Sequence, residues 1–102
     1  MILTTTNNIE GHKIVDYLGI VTGIRVQKGY SKMSFKDSLN QEKYYESMQE
    51  QIDVAKEEAF QKISSTAIKM KANAIVAISV DIEVTTQLRI VISVTGTAVK
   101  VV

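Results

Sequence analysis

The chain is short, nearly neutral and free of cysteine and proline. It has 102 residues, with 12 basic and 11 acidic side chains and a formal net charge of +1. A chain of this length forms one domain, which we assign to residues 1–102. Near neutrality argues against a nucleic-acid partner, because phosphate binding requires a basic patch. The absence of cysteine excludes disulfides and fits a reducing compartment.

No segment of the sequence predicts export or insertion into a membrane. Residues 1–11 lack the basic start and the apolar run of a secretory signal. No window approaches the roughly 18 consecutive apolar residues that a membrane helix needs. We therefore expect a cytoplasmic protein without a membrane partner.

Two strands are predicted at the start of the chain. Apolar Ile2 and Leu3 are followed by β-branched threonines, which is typical of a short strand. Residues 13–26 are rich in β-branched side chains and are polar on neither face, which predicts a central strand covered on both sides. Gly19 and Gly23 fall on one face of that strand, and this spacing indicates a bulge, a bend or the close approach of another backbone.

A long helix is predicted over residues 39–72. Ser38 and Gln41 have the spacing of a capping box, with Asn40 as the alternative N-cap, and Asn73 is a candidate C-cap. Such a helix is about 50 Å long, whereas a round globule of this chain length is only about 30 Å across. We therefore expect the helix to bend, break or extend onto a neighbour. Its apolar stripe consists of Tyr45, Met48, Ile52, Ala55, Ala59, Ile63, Ala67 and Met70.

Residues 74–85 and 89–101 predict a β-hairpin whose register follows from the side-chain pattern. One register sorts the aliphatic residues onto one face, which we expect the helix to cover. It pairs Val84 with Ile90, Ile82 with Ile92, Val80 with Val94 and Ile78 with Gly96. The other face pairs Asp81 with Ser93, Ser79 with Thr95 and Ala77 with Thr97. This second face is small and rich in hydroxyls, so we expect another subunit or a ligand to approach it.

Together these elements predict an α+β fold in the order β-β-α-β-β. An antiparallel, curved sheet of about four strands would carry one long helix packed on one face. Asp81 and Glu83 share a strand face, and they are interpreted either as a solvated strand end or as an acid/base pair that lacks a third group. No nucleophile elbow, phosphate loop or paired-histidine motif is present. We therefore expect a protein that is not an enzyme.

The segments 4–23, 71–83 and 93–101 resemble the YbjQ-like family of small bacterial proteins. The resemblance implies a fold similar to the dodecin subunit, a ring-shaped homopentamer and a label of "putative heavy-metal-binding", without established catalytic residues. Segment 27–43 is shorter than in many members. Lys71 stands where a glycine is common before Ala-Asn-Ala.

The metal chemistry can be narrowed from the residues present. Soft metals prefer thiolate and imidazole ligands, and this chain has no cysteine and one histidine. We therefore predict no tight Zn, Cu or Cd site within one subunit. A divalent hard metal could use Glu10, His12, Asp16 or Asp81. A lone histidine such as His12 beside Glu10 is more often a surface or strand-start residue than a metal ligand.

Three functions remain open at this point. The first is a small oligomeric protein that binds a metal or small ligand at subunit boundaries. The second is an enzyme whose site forms only between subunits, from Glu10, His12, Asp81 or Glu83. The third is a dodecin-like cofactor carrier, for which Tyr17 is the only aromatic side chain in the predicted strands.

Overall fold

A computed structural model describes residues 1–28, 41–85 and 89–102 of the chain. The elements are β1 (Ile2–Leu3), β2 (Ile14–Lys28), α1 (Gln41–Lys69), β3 (Ala74–Val84) and β4 (Arg89–Val101). The predicted α+β class and the order β-β-α-β-β are confirmed. The predicted helix caps at Ser38 and Asn40, and residues 86–88 between the two predicted hairpin strands, lie outside the described residues.

The sheet has four strands in the order β1-β3-β4-β2. β4 is antiparallel to both of its neighbours, whereas β1 runs parallel to β3, so the sheet is mixed rather than wholly antiparallel. The prediction that 13–26 forms a central strand is wrong, because β2 lies at the edge and pairs with β4 alone among the described strands. Both faces of β2 are apolar, as predicted, but α1 covers only one of them.

α1 packs over β2 and β4 and hardly touches β3. The helix residues in the middle of the contact are mostly alanines, which allow the backbone to approach the sheet closely. A Cβ added at Gly23 would lie 2.6 Å from the carbonyl oxygen of Ala59 and 3.1 Å from Ile63. Gly19 has a φ of 139° and lies beside a register shift in the β2–β4 ladder. The two predicted roles of these glycines, close approach and a bulge, are both confirmed. The fully buried helix residues are Ala55, Ala59, Ile63 and Ala67.

The helix is not too long for the molecule. α1 is one continuous helix of 29 residues, which at 1.5 Å per residue is about 43 Å. β2 has 15 residues and is about 50 Å long, and the molecule measures 55 × 22 × 18 Å. The expectation that the helix bends, breaks or extends onto a neighbour assumed a round globule. Helix and strands instead lie side by side in an elongated molecule, so a helix of this length requires none of the three.

The helix ends in a Schellman motif centred on Lys71, and not on Asn73 as predicted. Lys71 has a φ of 66°, and the amides of Lys71 and Ala72 donate hydrogen bonds of 2.9 and 3.0 Å to carbonyl oxygens of the last helical turns. The Asn73 side chain instead forms hydrogen bonds with the backbone of Val101. It donates to the carbonyl oxygen of Val101 and accepts from the amide of the same residue, at 2.8 Å each. Asn73 therefore fixes the end of the helix to β4.

Five of the seven predicted hairpin pairs are confirmed, and the two pairs nearest the start of β3 are wrong. The ladder runs as predicted from the Val84–Ile90 pair to the Ser79–Thr95 pair, and then shifts by one residue. The cause is a β-bulge at Ala77, which has a φ of 54°. Thr97 therefore pairs with Val76 instead of Ala77, and the predicted pair of Ile78 with Gly96 does not form.

Crowding over Gly96 and the N-terminal segment account for the bulge. A Cβ added at Gly96 would lie 2.6 Å from Ile75 and 3.1 Å from Ile78, so both isoleucines lie over a residue without a side chain. The two amides of the bulge donate to the carbonyl oxygens of Thr6 and Thr4, at 2.8 and 3.1 Å. The N-terminal segment thus satisfies backbone groups that the ladder leaves unpaired.

The apolar core has two parts, one on each face of the sheet. The larger part lies between α1 and the sheet, and the smaller part lies on the opposite face near the start of β3. Ile9 and Ile14 pack onto this smaller cluster. Among the residues that the structure describes, the face opposite the helix is therefore covered only at this end. The smaller cluster contains Ala74, Val76, Val99 and Val101.

Candidate functional site

The sheet face opposite α1 carries an uncovered apolar row along β2, which we call the outer patch. Its members are Tyr17, Ile20, Thr22, Ile24 and Val26. Tyr17 and Ile20 are 70% and 76% exposed, and Ile24 and Val26 are each about half exposed. Four such side chains together present on the order of 500 Å² to solvent, near the upper end of the largest patches on monomeric proteins. A patch of this size is typical of a contact surface.

Beside the outer patch lies the hydroxyl-rich surface that the sequence predicted. The register places Thr97, Thr95 and Ser93 of β4 directly beside Ile20, Thr22 and Ile24 of the outer patch. Ser79 continues the surface on β3, opposite Thr95. These short side chains give a shallow floor that another surface can approach closely. Asp81 and Glu83, both exposed, form its outer margin on β3.

A second apolar row lies on the helix side of the sheet, along β3, and we call it the inner patch. It consists of Val80, Ile82 and Val84, which are 37%, 44% and 48% exposed. Their β4 partners Val94, Ile92 and Ile90 are fully buried. The prediction that the helix covers the aliphatic face therefore holds for the β4 row and fails for the β3 row, because α1 lies over β2 and β4.

A groove runs between α1 and β1 on the same side and the same edge of the sheet. Its volume is about 630 Å³, and its apolar lining comes from Leu3, Phe60 and Ile68. Ser64, one helical turn from both Phe60 and Ile68, also lines it. Sequence reasoning missed this surface. The available signal was the apolar pair of Phe60 and Ile68, which are two helical turns apart and lie beside the main apolar stripe.

The four candidate metal ligands are not gathered within one chain. Glu10 and His12 lie exposed in the turn before β2, and Asp16 lies near the start of β2, paired with Lys100. Asp81 pairs with Ser93, seven positions further along β4, which is about 23 Å. Among the described residues no group of three or more Asp, Glu, His or Cys side chains could hold a metal ion. Metal binding by these residues stays a prediction.

The residues named for an enzyme site between subunits are also far apart within one chain. Glu83 pairs with Val91, so Asp81 and Glu83 lie near the hairpin loop, at the opposite end of the sheet from Glu10 and His12. A catalytic site that combines these residues would need a second subunit. Tyr17, named for the cofactor-carrier alternative, is exposed on the outer patch. No described helix has the length and apolar character to cross a membrane.

The edge of β2 is tied to the flank of the helix by polar contacts. Arg25 forms an ion pair with Glu58 of α1. The ammonium group of Lys62 donates a 3.0 Å hydrogen bond to the carbonyl oxygen of Ile24. A charged side chain on an edge strand, here Arg25, commonly protects that strand from pairing with other strands. These contacts therefore favour the faces of the sheet, rather than the β2 edge, as its contact surfaces.

The described residues form a small α+β unit, in which one helix packs on a mixed sheet and two apolar patches are exposed. The chain belongs to the YbjQ-like family, because the family described as "putative heavy-metal-binding" matches residues 1–102. It is 35% identical to a UPF0145 protein of Acetivibrio thermocellus, covering 99% of both chains. It is 36% identical to a UPF0145 protein of Bacillus cereus, covering 99% of this chain and 100% of the relative.

A solved structure has the same fold. It is the crystal structure of a protein of unknown function from the DUF74 family of Pediococcus pentosaceus, which superposes with a TM-score of 0.70. The match covers 100% of this chain and 98% of the other at 18% identity, so it supports the architecture alone.

Proposed function

We propose that the protein is a self-assembling, non-enzymatic binding protein of the cytoplasm. In this proposal it forms a closed homo-oligomer, a pentamer as the family resemblance implies, and holds a divalent metal ion or a small ligand where subunits meet. The observation that carries the proposal is the outer patch, with its adjoining row of small hydroxyl residues. Cytoplasmic location is supported by a chain that contains no cysteine.

Self-assembly is supported by the area of apolar surface that the single chain leaves exposed. A stable interface buries about 800 Å² on each partner. The outer patch supplies much of this area, and Thr95 and Ser79 beside it are also exposed. Burying half-exposed aliphatic side chains contributes about 25 cal/mol per Å² before the costs of association. Burial of the patch would therefore favour association without a ligand.

Binding at a subunit boundary is supported by the distribution of the candidate ligands. Glu10 and His12 lie at one end of the sheet and Asp81 at the other, so a single chain offers each end too few donors. Carboxylate and imidazole groups from two subunits together would reach the number that a hard divalent cation needs. Any such site depends on assembly.

Native mass spectrometry of the protein as purified tests the assembly and its cargo together. We expect a mass several times the 11.3 kDa of one chain. Thr95→Arg should reduce it to that of a monomer, because the substitution forces a charge into the contact. Gln49→Arg adds the same charge on an exposed helical position and should leave the assembly intact. A folded wild-type monomer at micromolar concentration would refute the proposal.

Titration with Mn²⁺ and Zn²⁺ tests the boundary site. We expect any bound Mn²⁺ to be lost in Thr95→Arg and retained in Gln49→Arg, since the ligands come from two chains. The monomeric variant should bind no Zn²⁺ at submicromolar affinity. One equivalent of Zn²⁺ bound tightly by that monomer, and released by a further His12→Ala substitution, would show a site within one chain and contradict the proposal.

A further inference from the structure

The groove between α1 and β1 lies along the margin of the sheet, where β1 is the last strand. Its apolar lining comes from Leu3, Phe60 and Ile68, and its volume of about 630 Å³ is within the range of ligand sites. We propose that this groove binds a short extended peptide, which adds to the edge of β1 as an antiparallel strand. The lining residues named here all belong to one chain, so peptide binding does not depend on assembly.

The backbone of β1 offers hydrogen-bonding groups on the side of the groove. Among the described strands, β1 pairs with β3 alone. The amides of Ile2 and Thr4 donate hydrogen bonds of 3.2 and 3.0 Å to carbonyl oxygens beside the start of β3. Because the backbone groups of successive residues point to alternate sides of a strand, the N–H and C=O of Leu3 point away from β3. Added strands are commonly held by main-chain groups of this kind.

The helix wall of the groove has a notch at Ser64. Phe60 and Ile68 lie one helical turn before and after Ser64 and are about 12 Å apart along the axis. The short serine side chain therefore separates two larger apolar ones. Residues that lie opposite each other in paired strands direct their side chains to the same face of the sheet. The peptide residue that pairs with Leu3 therefore directs its side chain to the helix side, where the notch favours an apolar group.

Charged side chains at the two ends of the groove complement the charged ends of a peptide. Glu57 and Lys69 both line the groove and are exposed. No ion pair joins either of them to another described residue. They are about 18 Å apart along α1, a distance that an extended peptide of about five residues spans. The amino terminus then lies at Glu57 and the carboxylate at Lys69, so the peptide runs in the direction of α1.

A peptide with this direction is antiparallel to β1. Gly19 lies beside Met70 and Gly23 lies beside Ala59, so α1 runs opposite to β2. β1, β2 and β3 share one direction, because β4 is antiparallel to both of its neighbours and β1 is parallel to β3. The charges therefore select the pairing in which Leu3 exchanges both of its hydrogen bonds with a single peptide residue.

The test is isothermal titration calorimetry of the wild-type protein with the free peptide Ala-Thr-Leu-Thr-Ala. Its central leucine is designed for the notch, and its threonines favour an extended strand. We expect saturable binding. A methyl group on the backbone nitrogen of the leucine removes the hydrogen bond to Leu3 and should abolish binding. A methyl group on the nitrogen of the following threonine, which points away from β1, should leave binding unchanged.

Substitutions in the protein test the notch and the charged end separately. Ser64→Leu fills the notch without adding charge and should abolish binding. Thr66→Leu adds the same side chain at an exposed position outside the groove and should leave binding unchanged. Lys69→Glu should weaken binding of the free peptide by about five-fold and leave binding of the C-terminally amidated peptide unchanged. Circular dichroism checks that each variant is folded.

Three results would overturn the inference. Equal binding of the two N-methylated peptides would show adsorption on apolar surface without strand addition. Binding of decanoate in the groove, with no binding of the peptide, would assign the groove to an apolar anion. Binding of the peptide by the Thr95→Arg chain but not by the wild-type protein would show that a neighbouring copy occupies the groove. A wild-type monomer that binds the peptide as described would support this inference while refuting the proposed assembly.

Discussion

Of two substitutions of Lys71, glycine should give a more stable protein than alanine, because this residue ends the helix in a left-handed conformation. Its φ is 66°, and a side chain in that region costs about 1–2 kcal/mol relative to glycine. The extra freedom of glycine in the unfolded chain removes about 0.4–1 kcal/mol of that gain. We therefore expect Lys71→Gly to be more stable than Lys71→Ala by about 1 kcal/mol.

The comparison with Lys71→Ala removes the effect of charge. A lysine at the end of a helix contributes about 0.3–1 kcal/mol through the helix dipole, and both variants lose it equally. For a domain of this size the difference of about 1 kcal/mol corresponds to about 4–8 °C in melting temperature. Thermal melts followed by circular dichroism at one fixed protein concentration measure it, since oligomerisation makes the melting temperature depend on concentration.

Gly11 offers a second position at which the same backbone strain can be tested. Gly11 has a φ of 82° with no atom within 4 Å of an added Cβ, so Gly11→Ala should be destabilising by a similar amount through backbone strain alone. If Lys71→Ala melted at or above Lys71→Gly, the left-handed conformation would not be what limits stability at this position, and the argument would be refuted.

Three further substitutions test the packing. Gly23→Ala should cost about 1–3 kcal/mol or more, because its Cβ would lie 2.6 Å from the Ala59 carbonyl oxygen; urea unfolding with an unchanged midpoint would contradict the close contact. Asn73→Ala should cost about 2 kcal/mol through loss of two hydrogen bonds to β4, and faster amide exchange at the end of β4 should accompany it. Removing the ion pair in Arg25→Ala, with Glu58 retained, should change the free energy of unfolding by less than about 1 kcal/mol, because both side chains are partly exposed; a larger loss would show a buried role.

The sequence determined the elements of this fold and much of their local detail. A long run of apolar residues spaced by both three and four positions shares one face only in a helix, which is why the predicted helix 39–72 contained α1 to within three residues at each end. Alternation with a period of two assigned the hairpin register from Val84 to Ser79, since a slip by one residue would exchange the two faces. Gly19 and Gly23 predicted a bulge and a close backbone contact, because glycine is otherwise unfavourable within a strand.

Only the tertiary structure decided how the strands are ordered and which faces stay open. Both faces of β2 are apolar, so the sequence predicted that something packs on each of them. The pattern of one strand does not say whether the second packing surface belongs to the same chain. The bulge at Ala77 depends on the crowding of Ile75 and Ile78 over Gly96. Gly96 lies on another strand and is distant from both isoleucines in the sequence. The separation of Asp16 from Asp81 likewise follows from the pairing of β2 and β3 with β4, because distances across a sheet are set by register and not by residue type.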